Sequence, residues 1–126
     1  MEKIFLVFIG GGVGSVLRYG ISSWIPQPTI STFPWATFMA NILATALLAI
    51  VLAIGWTQLQ QARWYYLIAV GLCGGFSTFS TFSKEVAVMV DQGHLMHAFI
   101  YMLMSVIICC GIFLLFYKNI STSNSL

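Results

Sequence analysis

Gly74-Gly75-Phe76-Ser77-Thr78-Phe79-Ser80-Thr81-Phe82-Ser83 sits in the middle of an apolar stretch, residues 64–90. Crossing a bilayer takes roughly 20 apolar residues as helix, and this stretch is long enough. Its centre is a poor choice for a helix facing lipid. It holds two adjacent glycines and a run of hydroxyl residues, and glycine costs about 1 kcal/mol relative to alanine inside a helix. Two readings stand. In one, the helix breaks here, and the irregular backbone is buried in protein or lines a water-filled cavity, the settings in which it survives at membrane depth. Carbonyls freed by such a break can hold a cation, and freed amides or hydroxyls can meet an anion. In the other, the segment remains a tightly packed helix whose hydroxyls bond back to carbonyls.

Outward from this stretch, the rest of the chain reads as membrane. Of its 126 residues 60% are hydrophobic and 6% are charged, against about 25% charged in an ordinary soluble domain. Residues 3–24, 35–56, 64–90 and 95–117 form four spans of an all-α membrane protein, with 118–126 as a polar tail expected to be disordered. The reading is a single transmembrane domain over residues 1–126. The runs do not alternate in polarity as barrel strands do. The first span lacks a clear small-residue cleavage site and is taken as a retained helix, not a signal peptide. A net charge of +2 without a basic cluster gives no reason to expect nucleic acid.

The loop near residues 25–34 holds Pro26, Pro28 and Pro34, and is too stiff to continue either neighbouring helix. Trp35 and Trp56 bracket the second span as in an interfacial belt. A polar loop of Thr57, Gln58, Gln60, Gln61 and Arg63 leads to Trp64, Tyr65 and Tyr66 at the head of the third, and Asp91-Gln92-Gly93-His94 forms a hairpin into the fourth. In a four-span chain Lys3, Arg63 and Lys118 share one side, while Arg18 and Lys84 lie near the other. Orientation follows the Lys/Arg bias. So small a bias is compatible with insertion both ways and an antiparallel dimer, or with one orientation set by other features.

Several polar groups fall inside the spans. Gly10 and Gly14 form a GxxxG pair that admits a close helix neighbour; a nucleotide-binding loop would need a preceding strand. Arg18 either snorkels toward headgroups or anchors against helix-end carbonyls. Thr37, Asn41 and Thr45 share one helix face, as do Tyr101, Ser105 and Cys109. Each set is either a polar track or ordinary interhelical bonding. Lys84-Glu85 follows the glycine-hydroxyl stretch. A charge at mid-bilayer costs at least about 2.5–3.5 kcal/mol, so the pair belongs near a vestibule or interface, and Glu85 has either a structural or a functional role there. Cys73, Cys109 and Cys110 offer neither a disulfide framework nor metal-ligand spacing. His94 and His97 can share a helix face, with a surface role the simpler reading. There is no nucleophile–base pair, and an enzyme is not expected.

Taken together, GGGVGSVLRY at residues 10–19, the region around Asn41, and above all GLCGGFSTFSTFSKE at residues 71–85 resemble the Fluc/CrcB family of small fluoride channels. The resemblance covers all four spans. It implies a fluoride-selective channel for passive export that lowers cytoplasmic fluoride and gives fluoride resistance, built as an antiparallel dual-topology homodimer with two pores in the inner (plasma) membrane. It implies a break at the centre of the third helix. There, backbone carbonyls of Gly74 and Ser77 from both subunits would hold a structural Na+ at the dimer centre. Ser77 stands where the family usually has Thr, a change that a carbonyl ligand tolerates. The family's pore phenylalanines correspond to Phe79 and Phe82, its pore asparagine to Asn41, and its fourth-helix track to Tyr101, Ser105 and Cys109. Thr37 and Thr81 are further candidates. Cys109 stands where members often have Ser and is the weaker donor. Arg18 and Glu85 match charged family positions without an assigned role in conduction.

These residue types suit a small, strongly hydrated anion. Asn41 offers N–H donors without a full charge, and Thr37, Tyr101 and Ser105 offer hydroxyls. Phenyl ring edges carry positive potential. Several weak sites in series permit both entry and exit. The alternative is a small proton-coupled multidrug exporter, also a four-helix dual-topology dimer, which needs an acidic residue within the first span. Beyond Glu2 that span has none. An assembly subunit without transport activity would explain the glycines but not the paired phenylalanines among hydroxyls.

Overall fold

The computed structural model describes residues 1–25, 33–59 and 63–123. Within them four helical stretches are long and apolar enough to cross a membrane: Glu2–Trp24, Trp35–Ala53, Tyr65–Asp91 and Leu95–Phe116. The first is α1 (Glu2–Trp24) and the second begins α2 (Trp35–Leu59). The third is composite. It starts as a π-helical stretch, Tyr65–Leu72, continues as a single α turn, α3 (Cys73–Phe76), and resumes as α4 (Phe79–Asp91). The fourth begins α5 (Leu95–Ser123).

Helix ends follow local chemistry. Ile25 leaves α1 in an extended conformation (φ −90°, ψ 111°), as expected of a residue that precedes proline. Pro34 stands just before α2, where its missing N–H is harmless, and its carbonyl accepts from the Phe38 N–H at 3.1 Å. At the end of α4, Gly93 takes the left-handed conformation (φ 82°). Gly93 N–H then donates to the Val90 carbonyl at 3.0 Å and His94 N–H to the Met89 carbonyl at 2.8 Å. This is the Schellman arrangement, which satisfies the last carbonyls of a helix.

Two expected boundaries move. The second span continues past Trp56 to Leu59, and the fourth past Tyr117 to Ser123, so the tail expected from 118 is helical through Ser123. No glycine or proline falls in either extension, and once nucleated a helix adds residues at little cost. The expectations for Pro26, Pro28, Gln60, Gln61 and residues 124–126 lie outside the described residues.

The first half of the third span packs against α1 through facing glycines. A Cβ on Gly10 would strike the Leu67 carbonyl, one on Gly14 the Leu72 carbonyl, and one on Gly75 the Gly11 carbonyl. On Gly71 it would come within 2.9 Å of the Val7 carbonyl. The expected Gly10/Gly14 pair thus meets a second pair, Gly71/Gly75, and the two backbones touch as small-residue interfaces in membranes allow. At the aqueous end Arg63 and Glu2 form an ion pair at 2.8 Å, and Lys3 lies 4.7 Å from the centre of the Tyr66 ring. The ion pair is exposed, and such pairs contribute about 1 kcal/mol or less.

Elsewhere α2 packs along α5, and α4 packs on α5. Their shared core is Phe38, Met89, Ala98 and Tyr101, with Phe82, Val86 and Ile108 packed against it. A second cluster joins Ala40 and Ala44 of α2 to Phe76 at the end of α3. Phe8, Val16, Leu103, Ile107 and Leu115 point outward. In water that exposure would be costly; against lipid tails it is not.

Candidate functional site

The helix stops at Phe76, and two residues of extended backbone follow. Ser77 has φ −74° and ψ 157°, and Thr78 has φ −150° and ψ 114°. Extended backbone inside a span exposes polar groups that need partners. Ser77 N–H still donates to the Cys73 carbonyl at 3.0 Å. Thr78 is served by α2. Its N–H donates to Asn41 Oδ1 at 2.8 Å, and Asn41 Nδ2 donates to its carbonyl at 3.4 Å. The Thr78 hydroxyl caps α4 by accepting from the Thr81 N–H at 3.1 Å, a service worth about 1 kcal/mol. It also donates to the Thr81 hydroxyl at 3.0 Å. On the other side, Arg18 Nε donates to the Gly75 carbonyl at 3.4 Å. Of its two readings, Arg18 therefore takes the helix-end anchor.

Beside the extended residues lies a cavity of about 310 Å³. Asn41 and Thr45 of α2, Ser77 and Thr78, Phe79 and Phe82 of α4, and Ser105, Val106, Cys109 and Cys110 of α5 line it. The Phe79 and Phe82 rings are tilted neighbours, 5.7 Å between centroids. Phe79 is 79% exposed and projects from the chain. The Ser105 hydroxyl is buried without a hydrogen-bond partner among the described residues. Gly74 and Ser77 line a separate recess of about 130 Å³ with Ala44, Thr45, Leu48, Ala69 and Cys73.

A third group sits one layer away. Glu85 accepts from the Thr37 hydroxyl at 2.6 Å and from the Tyr101 hydroxyl at 2.8 Å. Thr37 is 4% exposed and Tyr101 is fully buried. The carboxylate thus ties α2, α4 and α5 together, with each of its oxygens accepting one hydroxyl. Tyr101 also stacks obliquely on Phe82, centroids 5.0 Å apart, so the carboxylate cluster and the cavity share a wall.

Of the residues singled out from sequence, the cavity gathers Asn41, Phe79, Phe82, Ser105 and Cys109. Gly74 lines the smaller recess and Ser77 lines both. Thr37 and Tyr101 turn to Glu85, and Thr81 turns to Thr78. The face Tyr101–Ser105–Cys109 therefore divides: two residues meet the cavity and one meets the carboxylate. Sequence reasoning overlooked Thr78 as the cap, Cys110 as a lining residue and Glu85 as the acceptor for two of the named hydroxyls. A signal for the cap was present, since Thr78 immediately precedes the helix that resumes at Phe79.

The model of the family described as CrcB-like protein, Camphor Resistance (CrcB), matches residues 5–117. The chain belongs to the CrcB family. A protein named fluoride-specific ion channel FluC from Erythrobacter litoralis (strain HTCC2594) is 40% identical over 106 residues, covering 79% of this chain and 78% of the relative. One of the same name from Flavobacterium psychrophilum (strain ATCC 49511 / DSM 21280 / CIP 103535 / JIP02/86) is 40% identical over 109 residues, 84% of this chain and 86% of the relative. Another from Leptospira interrogans serogroup Icterohaemorrhagiae serovar copenhageni (strain Fiocruz L1-130) is 37% identical over 107 residues, 84% of each chain. The CrcB match spans all four apolar helices, and the chain is a multi-pass membrane protein.

Proposed function

We propose that the chain is a fluoride-selective channel of the inner membrane, exporting fluoride passively and so lowering its cytoplasmic concentration. The observation that carries this reading is the cavity in which Phe79, Phe82 and the unpartnered Ser105 hydroxyl meet beside Asn41. The names of the CrcB relatives supply the ion. A buried hydroxyl without a partner costs about 1–3 kcal/mol. A passing anion that accepts from Ser105 recovers that cost and replaces part of the water the ion leaves behind. Asn41 spends one N–H and its oxygen on Thr78, and an amide has two N–H donors. The second can face the ion while the first keeps the site in place. Phe79 and Phe82 present ring edges of positive potential in surroundings too apolar to retain a hydrated ion. Weak donors in sequence favour passage over capture.

The functional unit is an antiparallel homodimer. The ring of Phe79 projects from one protomer, so a partner is needed to complete the wall around it. At the centre of the pair the carbonyls of Gly74 and Ser77 would hold a structural Na+. The residues fit such an ion. A hard cation takes oxygen ligands, Ser77 has left the helix, and a Cβ added to Gly74 would meet nothing within 4 Å from the rest of the protein. When bound, the ion supplies positive charge and neutralises carbonyls that have no helical partner. Drug–proton exchange is disfavoured because Glu2, the acid of α1, is paired with Arg63 at the exposed end.

The test is ion efflux from liposomes holding the purified protein. Fluoride should leave and chloride should be retained. Equal passage of both, or of neither, would overturn the proposal.

A further inference from the structure

The turn between α4 and α5 carries two imidazoles outside the cavity and outside the carboxylate cluster. His94 is fixed at its backbone: its N–H donates to the Met89 carbonyl at 2.8 Å and its carbonyl accepts from the Ala98 N–H at 3.1 Å. Left-handed Gly93 closes the same turn. His97 follows within the first turn of α5 and is exposed, while His94 is half-buried. Their rings lie edge to face, with centroids 5.8 Å apart and planes at 85°.

That spacing is close to what a shared metal ion requires. A metal–nitrogen bond of about 2.0–2.1 Å places the ion roughly 3.2 Å from each ring centre, and a tetrahedral angle then puts the centres about 5.2 Å apart. The planes stand at 85°, so rotation of both side chains has to bring one nitrogen of each ring to face the ion. Exposed Asp91, three residues before His94, adds negative charge nearby. Imidazole selects borderline cations over hard ones.

We propose that His94 and His97 form a two-imidazole site for a divalent transition-metal ion at this turn. No third histidine, cysteine or carboxylate completes a cluster among the described residues, so the bound ion keeps water in its remaining positions. Occupancy clips the start of α5 to the end of α4. His97 lies one turn before Tyr101 on the same helix face, so the clip also holds the end of the helix that delivers Tyr101 to Glu85. The site does not depend on the fluoride reading, and its test does not use fluoride.

Titration calorimetry of the purified full-length protein with Ni2+, with Mg2+ as the control, reads the site directly. Ni2+ should bind the native chain and raise its thermal midpoint, and Mg2+ should do neither. His97→Ala and His94→Ala should each weaken Ni2+ binding by about tenfold or more through loss of one of two ligands. His97 is exposed, so its variant keeps the metal-free midpoint and remains informative if His94→Ala disturbs the turn. Native Ni2+ affinity in His97→Ala, or equal responses to Ni2+ and Mg2+, would overturn the proposal.

Discussion

The two halves of the third span solve opposite problems with the same backbone. Tyr65–Phe76 meets α1 through glycines, and main chain touches main chain with no side chain between. Phe79–Asp91 meets α2 and α5 through Phe82, Glu85 and Met89, and leaves a cavity of about 310 Å³ beside it. The first half is a tight joint with little room to adjust. The second carries hydroxyls, rings and a carboxylate where a dry joint would have sufficed. Ser77 and Thr78 divide them, and Asn41 of α2 holds Thr78 by both its N–H and its carbonyl. The contrast teaches that a tight joint and an open cavity are separable within one span: the glycine half fixes position, and this leaves the other half free to line a cavity.

The contrast breaks most severely in the glycine half. Gly75→Val places side-chain atoms on the Gly11 backbone, which cannot yield as a flexible side chain can. Overpacking costs about 1–3 kcal/mol in a core and more where only backbone can move. The expected outcome is loss of folded protein, seen as aggregation on size exclusion. Gly12→Ala, on α1 beside Gly11 but with nothing within 4 Å of the added carbon, should elute as the native chain. A Gly75→Val protein that folds normally would dissolve the distinction between the halves.

At the divide, Asn41→Asp should spare the fold more than the function. A carboxylate can still accept from the Thr78 N–H but cannot donate to its carbonyl. A charge about 4 Å from a passing anion costs about 4 kcal/mol at the polarisability of a partly wet site. Fluoride efflux at neutral pH should therefore fall by about a thousandfold. Native efflux would remove Asn41 from the path and leave it only its structural bond. The smallest effect belongs to the cap. Thr78→Ala removes the acceptor for the Thr81 N–H and should cost about 1 kcal/mol of stability, measured by thermal or denaturant unfolding. Thr78→Ser should recover most of it.

Much of this architecture was legible in the residues. The four apolar spans follow from hydropathy alone, and Gly10 and Gly14 declare a close neighbour by their spacing. What spacing cannot name is the neighbour. The reciprocal pair Gly71/Gly75 became evident only when α1 was seen to lie along it. The π-helical stretch Tyr65–Leu72 has no local signal, because its wider turns answer to tertiary packing and not to propensity. The same limit explains the site. Thr37, Asn41 and Thr45 were correctly placed on one face, but a face does not state its partners. Thr37 meets Glu85, Asn41 meets the Thr78 backbone, and Thr45 meets the cavity. Each bond runs between segments far apart in the chain, and helical periodicity is silent on those.

The central claim is that the phenylalanine-lined cavity beside Ser77 and Thr78 is the route for fluoride. Fluoride efflux from liposomes holding Phe79→Ile or Phe82→Ile, set beside the native protein at equal incorporation, tests it most directly. Isoleucine keeps the bulk and apolarity of the wall but has no ring edge to offer an anion. The account predicts that efflux falls by more than about tenfold in each variant, a barrier increase of about 1.4 kcal/mol or more, while both proteins elute as the native assembly. Native efflux rates in both variants would contradict it.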